Sequence, residues 1–386
     1  MTPERPVLER RLLAALEATP SRVPVLLGGC GSGRSFVLLR LRDLIGRGAC
    51  QYVNVERVAT TPERFLQSLV TASPFAPPLH AASPASAGSA REAFDATLAF
   101  LNTARASGGG PATFLLDEAL ECRTFESFPG LRSVLRDLVD ALSASPNRFV
   151  LTTRYVARAH RLLRDAPAHF EVIHVPPLTR SEIAAAMARG TTEASPDRDE
   201  LVRAVHALAD GRPAYVTALT DALAQMERRG GGDAVSALAA QLAPGGQIET
   251  ACRFCYELRL HRARGYGALK AILDVLAEEE PLTLTEIATR LRRTPGSTKD
   301  YLSWLEDVDL VMSRQKRYSF SDPMLRLWVR LHCRPVPPAD DDLAREVQTY
   351  ALARLPRPEP TGAHAPAGTA GTDADRGRPW GIIEID

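Results

Sequence analysis

The chain has 386 residues, of which 45% are hydrophobic and 24% charged, and its formal net charge is +1 at pH 7. This length fits two or three globular domains, and the balanced charge excludes attraction of the whole protein to nucleic acid or to an acidic membrane surface. No run approaches the roughly 18 apolar residues of a membrane helix, and no apolar signal core follows the first charges. We therefore expect a cytoplasmic protein without membrane contact.

The basic residues are strongly biased toward arginine. Of 47 basic residues only Lys270, Lys299 and Lys316 are lysine, and Ala, Pro and Gly are abundant. This composition suggests a GC-rich coding genome, so an arginine in place of a lysine is weak evidence for a selected function.

The six cysteines are too few and too scattered for a disulfide scaffold. One CxxC pair, Cys252 and Cys255, has no second pair of ligands nearby to complete a zinc site. Two ordinary cysteines on a helix are therefore the favoured interpretation, with a metal site as the alternative.

The N-terminal part alternates helical and strand patterns. Apolar residues at helical spacing predict a helix over residues 4–18. The apolar run VPVLLGG at 23–29 predicts a buried parallel strand. After the glycine-rich turn that follows, a second helix is predicted to end at Gly48. A second strand is predicted at 51–56. The next helix begins with Thr61 as cap and Pro62 in its first turn. This β-α-β-α order predicts a parallel sheet with helices on both faces.

Three further strands follow. A loop rich in Ala, Ser and Pro at 71–91 and a helix at 91–106 precede the strand PATFLLDE, which begins at Pro111. After a helix at about 130–144, RFVLTTR (148–154) and FEVIHV (170–175) are the last strands. Residues 1–176 are thus predicted to form an α/β domain with a five-stranded parallel sheet.

The remaining chain divides into three regions. Residues 177–262 show helical patterns separated by Gly and Pro. Residues 263–335 predict three helices followed by two short strands, with Thr283 or Thr285 as a cap, which is the order of a winged helix domain. Residues 336–386 are rich in Pro, Ala, Gly and Asp and are predicted to be disordered, except that they end in the apolar segment WGIIEID.

The segment GGCGSGRSF at 28–36 has the spacing of a phosphate-binding loop. Glycines allow successive backbone N–H groups to point at phosphates, and a hydroxyl after the basic residue holds magnesium. The preceding strand and the following helix are the context that this motif requires, and a glycine-rich turn without a ligand is the alternative. The candidate nucleotide-binding residues are Gly28, Gly29, Gly31, Ser32, Gly33, Arg34, Ser35 and Phe36.

The acids that end the strand TFLLDE have the form of a Walker B element. Asp117 would lie near Ser35 and bind magnesium with it, and Glu118 would orient or deprotonate the attacking water. On its own this pattern also fits a solvated strand end. Together with the loop about 85 residues earlier in a βαβ chain it predicts a site for ATP or ADP with Mg²⁺.

These motifs occur in the order found in AAA+-related P-loop ATPases of the STAND and archaeal-type classes, which the chain resembles over roughly residues 10–330. The resemblance rests on GGCGSGRS, FLLDE, FVLTTR, VPPLTRSEI and DGRPAYVTAL, and it implies that residues 177–262 are a helical lid. It also implies that Thr153 and Arg154 read the γ-phosphate, Arg154 being a catalytic candidate, and that Pro213 packs near the adenine. Arg212 either belongs to this lid element or corresponds to a second sensor arginine.

Arg34 stands where the family has lysine. Arginine keeps the charge, but its planar fork is larger than an ammonium and does not replace it freely. Binding tolerates this change better than turnover, because the backbone cradle remains while transition-state stabilisation depends on position. The hypothesis is an ATP-binding switch with slow or weak hydrolysis, so whether the protein acts as an ATPase stays open. The alternative is a non-catalytic regulator or a DNA-binding protein with a structural nucleotide.

The winged helix and the tail supply the candidate partner sites. Basic residues in the third helix and the wing would contact DNA phosphates, but acids lie beside them, and in STAND-like proteins this module packs on the core as part of the switch. We therefore expect the packing role rather than DNA binding. Residues 378–386 either dock on a protein partner by strand addition or fold back on the chain. Whether the chain forms homo-oligomers is left open by the sequence. AAA+ relatives often form rings, but no arginine finger is assigned here.

Overall fold

A parallel five-stranded sheet forms the N-terminal part of the computed structural model, which describes residues 4–75, 88–167, 169–188, 196–261 and 265–355. Its strands lie in the order β2-β3-β4-β1-β5, and each neighbouring pair is parallel. The predicted α/β core with a five-stranded parallel sheet is therefore confirmed. The strands are β1 (Val23–Leu27), β2 (Cys50–Asn54), β3 (Thr113–Asp117), β4 (Arg148–Thr153) and β5 (Phe170–His174).

Helices cover both faces of this sheet. Leucines of the first two helices pack on one face, and an aromatic cluster that includes Phe65, Phe94 and Phe125 packs on the other. A 3₁₀ segment spans Ala119–Ser127. The helices are α1 (Pro6–Glu17), α2 (Arg34–Ile45), α3 (Val55–Val58), α4 (Pro62–Thr71), α5 (Ala90–Thr103), α6 (Val134–Ala144) and α7 (Val156–Leu163).

Local capping determines where two of these helices begin. The Thr61 side chain accepts a hydrogen bond from Arg64 N at 3.2 Å, so the predicted cap of α4 is confirmed. The predicted strand at 51–56 is wrong at its end. The Asn54 side chain accepts from Arg57 N at 3.1 Å and so begins α3 at the next residue.

The predicted helical region contains five helices among its described residues: α8 (Arg180–Ala188), α9 (Pro196–Ala209), α10 (Pro213–Glu227), α11 (Ala234–Leu242) and α12 (Gln247–His261). Gly211, just before α10, has a φ of +60°, and a Cβ there would lie 2.9 Å from the carbonyl oxygen of Leu178. The Gly211 carbonyl accepts from Leu178 N at 2.7 Å. Glycine is thus required where the chain turns into α10.

The next elements include the three helices and two strands that the sequence predicts, with a further strand, β6, and a further helix, α16, that were not predicted. Thr283 and Glu286 form a reciprocal capping box, so Thr283 is the cap. The three short strands form an antiparallel sheet in the order β6-β8-β7. That these elements form a winged helix domain stays a prediction. They are α13 (Tyr266–Glu278), β6 (Leu282–Thr283), α14 (Leu284–Arg290), α15 (Pro295–Asp307), β7 (Val311–Arg314), β8 (Arg317–Phe320) and α16 (Pro323–His332).

The prediction of disorder from residue 336 onward is wrong for its first part. Residues Asp340–Arg354 form a helix, α17, with Leu343, Val347 and Ala351 buried. These residues are spaced four apart, so they form one apolar face that packs against earlier helices. The predicted docking segment 378–386 lies outside the described residues, as do residues 76–87 of the predicted loop.

One buried apolar cluster runs from β1 to Ala351 of α17 and includes residues of the sheet, the helical region and the C-terminal elements. The domain boundaries at 176, 262 and 335 stay predictions. Within the ranges that the structure describes, no helix is both long and apolar enough to cross a membrane.

Candidate nucleotide-binding site

The glycine-rich loop leaves the end of β1, a strand that lies between β4 and β5 in the sheet. It leads directly into α2, whose N-cap residue Gly33 has a φ of +85°. The loop and the start of α10 enclose a pocket of about 340 Å³. The carboxyl edge of an open parallel sheet is where such folds bind ligands. The pocket is lined by Gly29, Gly31, Ser32, Gly33, Arg34, Ser35, Phe36, Pro213, Ala214 and Thr217.

The pocket suits a phosphate group. The first backbone N–H groups of a helix have no partners within the helix and attract anions, and α2 begins at the pocket wall. The hydroxyl of Ser32 is buried and has no hydrogen-bond partner among the described residues. A buried hydroxyl without a partner needs one, and in a glycine-rich loop of this type it could donate a hydrogen bond to an oxygen atom of a ligand.

The side chain of Arg34 pairs with a carboxylate. Arg34 is only 7% exposed, and its Nη2 atom forms a buried ion pair with Glu118 Oε1. Its Nη1 atom donates to the carbonyl oxygen of Gly29 at 3.2 Å. The guanidinium is therefore held within the protein by two of the residues that sequence analysis assigned to the site.

Glu118 is held on both of its carboxylate oxygens. Oε2 accepts from Arg154 N at 3.0 Å and lies 3.2 Å from Arg154 Nε. Its backbone has a φ of +56°, a left-handed conformation uncommon for glutamate. Burial raises the pKa of this carboxyl, but the charges of Arg34 and Arg154 outweigh burial and leave it below its ordinary value. A carboxylate with a lowered pKa is a weaker base.

Both carboxylate oxygens of Asp117 also accept hydrogen bonds within the protein. Thr152 Oγ1 donates to its Oδ1 at 2.5 Å, and the Tyr52 hydroxyl donates to its Oδ2 at 2.7 Å. Ser35 lines the pocket and is exposed, so its hydroxyl fits a magnesium ligand. Asp117 fits magnesium less well, because both of its oxygens already accept hydrogen bonds. Among the described residues there is no cluster of three or more His, Cys, Asp or Glu that could hold a metal.

The two residues predicted to sense the γ-phosphate lie at the end of β4. Thr153 Oγ1 accepts from Tyr155 N at 3.1 Å. Arg154 is 4% exposed, and its Nη2 atom pairs with Glu56 in addition to the Glu118 contacts. Arg154 is thus next to the predicted catalytic glutamate, but neither it nor Thr153 lines the pocket.

Arg212 joins three parts of the chain. Its Nη1 atom donates to Cys30 O of the loop at 3.2 Å and lies 3.3 Å from Asp322 Oδ2. Its Nη2 atom donates to Ser321 O at 2.9 Å. The following residue, Pro213, lines the pocket, and its Cγ lies 3.2 Å from where a Cβ on Gly33 would be.

Several residues at the site were missed by sequence reasoning. Arg259 of α12 donates to Cys30 Sγ at 3.1 Å and to Asp309 O at 2.7 Å. The Asp309 carboxylate lies 3.1 Å from where a Cβ on Gly29 would be. These residues follow the loop by more than 200 positions, so no local pattern connects them with it. For Tyr52 and Glu56, the available signal was their position in or just after the strand that pairs with β3.

Comparison with known proteins gives the fold of this chain. The Walker-type ATPase of Pyrococcus abyssi matches 85% of this chain and 95% of its own, with a TM-score of 0.62 and 20% sequence identity. RuvB of Thermotoga maritima matches 87% of this chain and 96% of its own, at a TM-score of 0.42 and 12% identity. A STAND protein with a tetratricopeptide repeat sensor from Pyrococcus horikoshii matches 89% of this chain and 44% of its own, at a TM-score of 0.36 and 14% identity.

No protein-family model and no curated protein sequence matches the chain. The match to the Pyrococcus abyssi structure extends over most of both chains. The predicted resemblance to AAA+-related P-loop ATPases is therefore confirmed at the level of the fold.

Proposed function

We propose that this chain is an ATP-binding switch that hydrolyses ATP slowly. The observation that carries the proposal is the buried ion pair between Arg34 and Glu118 beneath the glycine-rich loop. It links the basic residue of the predicted phosphate site with the predicted catalytic carboxylate. The P-loop ATPase fold supports nucleotide binding, and the ion pair supports slow turnover.

Nucleotide phosphates would bind at the loop and the N-terminus of α2. The backbone N–H groups there and the unpartnered hydroxyl of Ser32 are the donors, and Ser35 would bind the accompanying Mg²⁺. Magnesium would offset phosphate charge in this site. Pro213, Ala214 and Thr217 of α10 form the opposite wall, so we place the rest of the nucleotide against this helix.

Slow hydrolysis follows from the state of Glu118. A catalytic base must hold its lone pair toward the attacking water. Here one oxygen pairs with Arg34 and the other with Arg154, and the pKa of the carboxyl lies below its ordinary value. Arg34 must also leave Glu118 to reach a phosphate, which would separate a buried ion pair at considerable cost.

The contacts around the loop support coupling between nucleotide state and the packing of the C-terminal elements. Arg212 at the start of α10 joins Cys30 O of the loop to Ser321 O and Asp322. Asp309 lies between Gly29 and Arg259. A nucleotide that moves the loop would therefore change contacts of the segments before α16 and after α15.

Titration of the purified full chain with a fluorescent ATP analogue, with and without Mg²⁺, tests the binding half of this proposal. We expect saturable binding that is displaced by unlabelled ATP and ADP and strengthened by Mg²⁺. A Ser35→Ala variant should lose the Mg²⁺ dependence and keep most of the binding. Absence of displaceable binding in the folded wild-type chain would contradict the proposal.

A second candidate function is DNA binding by the C-terminal elements. Asp307 is paired with Arg161 at 2.5 Å, and Asp309 faces the loop, so two acids of this region are turned toward the core. The basic side chains are exposed, as DNA contact requires. They are Arg292, Arg293, Lys299, Arg314, Lys316 and Arg317.

Fluorescence anisotropy with a labelled duplex tests this candidate. If these six basic residues bind phosphates, affinity should fall on the order of a thousandfold between about 50 and about 200 mM salt. The double variant Arg314→Glu and Lys316→Glu should abolish binding, whereas Arg47→Glu, whose side chain is 76% exposed on the α/β part, should not. Equal binding by both variants would remove this candidate.

A further inference from the structure

One cysteine of the CxxC pair of α12 faces the glycine-rich loop. Arg259, four residues after Cys255, donates from Nη2 to Cys30 Sγ at 3.1 Å. Residues four apart share one face of a helix, so Cys255 faces the loop as well. The Cys255 and Cys30 thiols are neighbours, and each shifts the pKa of the other. Cys252, one turn earlier, contacts the Tyr215 hydroxyl at 3.6 Å instead.

We propose that Cys30 and Cys255 form a peroxide-reactive thiol pair, and that their oxidation to a disulfide ties the glycine-rich loop to α12. The pair joins a loop residue with a helix residue 225 positions later in the sequence. Neither thiol has a part in the nucleotide chemistry proposed above.

Cys30 is the nucleophile of the pair. It is partly exposed, whereas Cys255 is buried. The hydrogen bond from Cys255 lowers the pKa of the Cys30 thiol well below its ordinary value, and the charges of Arg259, Arg154 and Arg34 act in the same direction against burial. The thiolate is the form that reacts with peroxides. The neighbouring Cys30 sulfur and burial raise the pKa of the Cys255 thiol.

The reaction consumes one hydrogen peroxide. The Cys30 thiolate attacks one peroxide oxygen, the O–O bond breaks, and the departing hydroxide takes a proton to become water. The Cys255 sulfur, after losing its proton, then attacks the sulfur of the resulting sulfenic acid, so that an S–S bond forms and the S–O bond breaks. A second water leaves. The two sulfurs lose two electrons in total, and the peroxide gains them.

The disulfide would act on the pocket through the neighbours of Cys30. Gly29 and Gly31, on either side of it, line the pocket, and oxidation removes the thiolate that Arg259 contacts. This consequence rests on the proposed nucleotide site. We expect the disulfide to lower the affinity for the fluorescent ATP analogue about tenfold, since the loop can no longer adjust to the phosphates.

The thiol pair is tested by peroxide treatment of the full chain, alkylation of the remaining thiols, and tryptic mass spectrometry. Trypsin places the three cysteines on separate peptides, because Arg253 lies between Cys252 and Cys255. The expected product is a disulfide between the peptides 23–34 and 254–259. It should be absent from Cys255→Ala, retained in the matched control Cys252→Ala, and reversed by dithiothreitol. Cys333, which is partly exposed but whose pKa burial raises to about 11, should stay reduced.

Three results would each decide a different point. Linkage of peptide 23–34 to 230–253, or over-oxidation of Cys30 without any linkage, would overturn the assignment of the pair. Formation of the Cys30–Cys255 disulfide with unchanged binding of the ATP analogue would overturn its effect on the pocket. The same disulfide in a chain that binds no ATP analogue when reduced would support the thiol pair and contradict the proposed nucleotide function.

Discussion

The side chain of Arg34 differs from the lysine of similar loops in the number and geometry of the hydrogen-bond acceptors that it can bind. A lysine ammonium is a compact point charge on a flexible stem, whereas the guanidinium is a planar fork that can bind two acceptors at once. Here the fork binds the Gly29 carbonyl and the Glu118 carboxylate together. The arginine side chain therefore stabilises the arrangement in which the predicted base is not available.

Replacing Arg34 by lysine should raise the rate of phosphate release about tenfold, which corresponds to about 1.4 kcal/mol in the activation free energy. The shorter, non-planar ammonium cannot hold Gly29 and Glu118 with the same geometry and is free to reach a phosphate. Steady-state phosphate release by Arg34→Lys and by the control Arg47→Lys, exposed beyond the end of α2, would measure this effect. A rate for Arg34→Lys at or below the wild-type rate would show that the ion pair does not limit turnover.

The carboxyl group of Asp309 should make the free energy of unfolding depend on pH. Burial raises the pKa of its carboxyl from 3.8 to about 6, although Arg259 and Arg212 oppose the shift. The folded chain therefore binds this proton more tightly than the unfolded chain. The stability that the proton contributes is complete below about pH 4 and is lost as the pH rises through about 6.

The variant Asp309→Asn has no such proton, and asparagine tolerates the left-handed φ of +57° at this position. From pH 4 to pH 7 the unfolding free energy of the wild type should fall relative to that of Asp309→Asn by roughly 2 kcal/mol. Urea unfolding of both chains at the two pH values measures this difference. A difference that does not change with pH would mean that Asp309 titrates normally in the folded chain.

At the scale of elements, the pocket depends on a close approach between the start of α2 and the start of α10. Gly33 has a left-handed φ of +85°, and a Cβ there would lie 3.2 Å from Pro213 Cγ. Gly211 allows the turn that brings Pro213 to this place. Two glycines far apart in sequence thus determine how closely the helices meet.

Gly33→Ala should lower the unfolding free energy by about 1–2 kcal/mol, the cost of a left-handed alanine, and should weaken binding of the ATP analogue about tenfold. Gly48→Ala is the matched control, because Gly48 is exposed and has no atom within 4 Å of its added Cβ. The control should change stability by less than about 0.5 kcal/mol. Equal effects of the two substitutions in thermal unfolding and titration would argue against a role for the close approach.

At the scale of the whole molecule, α17 connects distant parts of the chain. The Tyr350 hydroxyl donates to Leu208 O of α9 at 3.0 Å, and Glu346 pairs with Arg330 of α16 at 2.8 Å. Leu343 and Val347 are buried between these contacts. The helix therefore holds the helical region against the C-terminal elements.

A chain that ends at Ala339 should be less stable than one that ends at Leu355 by about 4 kcal/mol. Burial of a leucine or valine side chain contributes about 1.5–3 kcal/mol, and two are lost with α17. Chemical unfolding of the two truncated chains measures the difference directly. If their unfolding free energies agreed within about 0.5 kcal/mol, α17 would not be part of the cooperative structure.

The sequence predicts most of the fold because the strands and caps are local signals. Thr61 and Thr283 cap the helices where their sequence patterns place them. Helix α17 was missed since its apolar spacing is embedded in a segment rich in Pro, Ala and Asp. The loop and Glu118 were predicted from motif spacing, but the ion pair that joins Arg34 to Glu118 depends on side-chain packing, for which one sequence carries no local pattern.

The proposed slow hydrolysis of bound ATP can be measured as phosphate release in a single turnover, from ATP prebound to the wild-type chain with Mg²⁺. Binding and release are followed on the same sample. We expect stoichiometric binding and a release rate far below about 1 per second, the lower end of typical enzyme turnover. Release at or above that rate would contradict slow hydrolysis, because Glu118 would then be an available base despite Arg34.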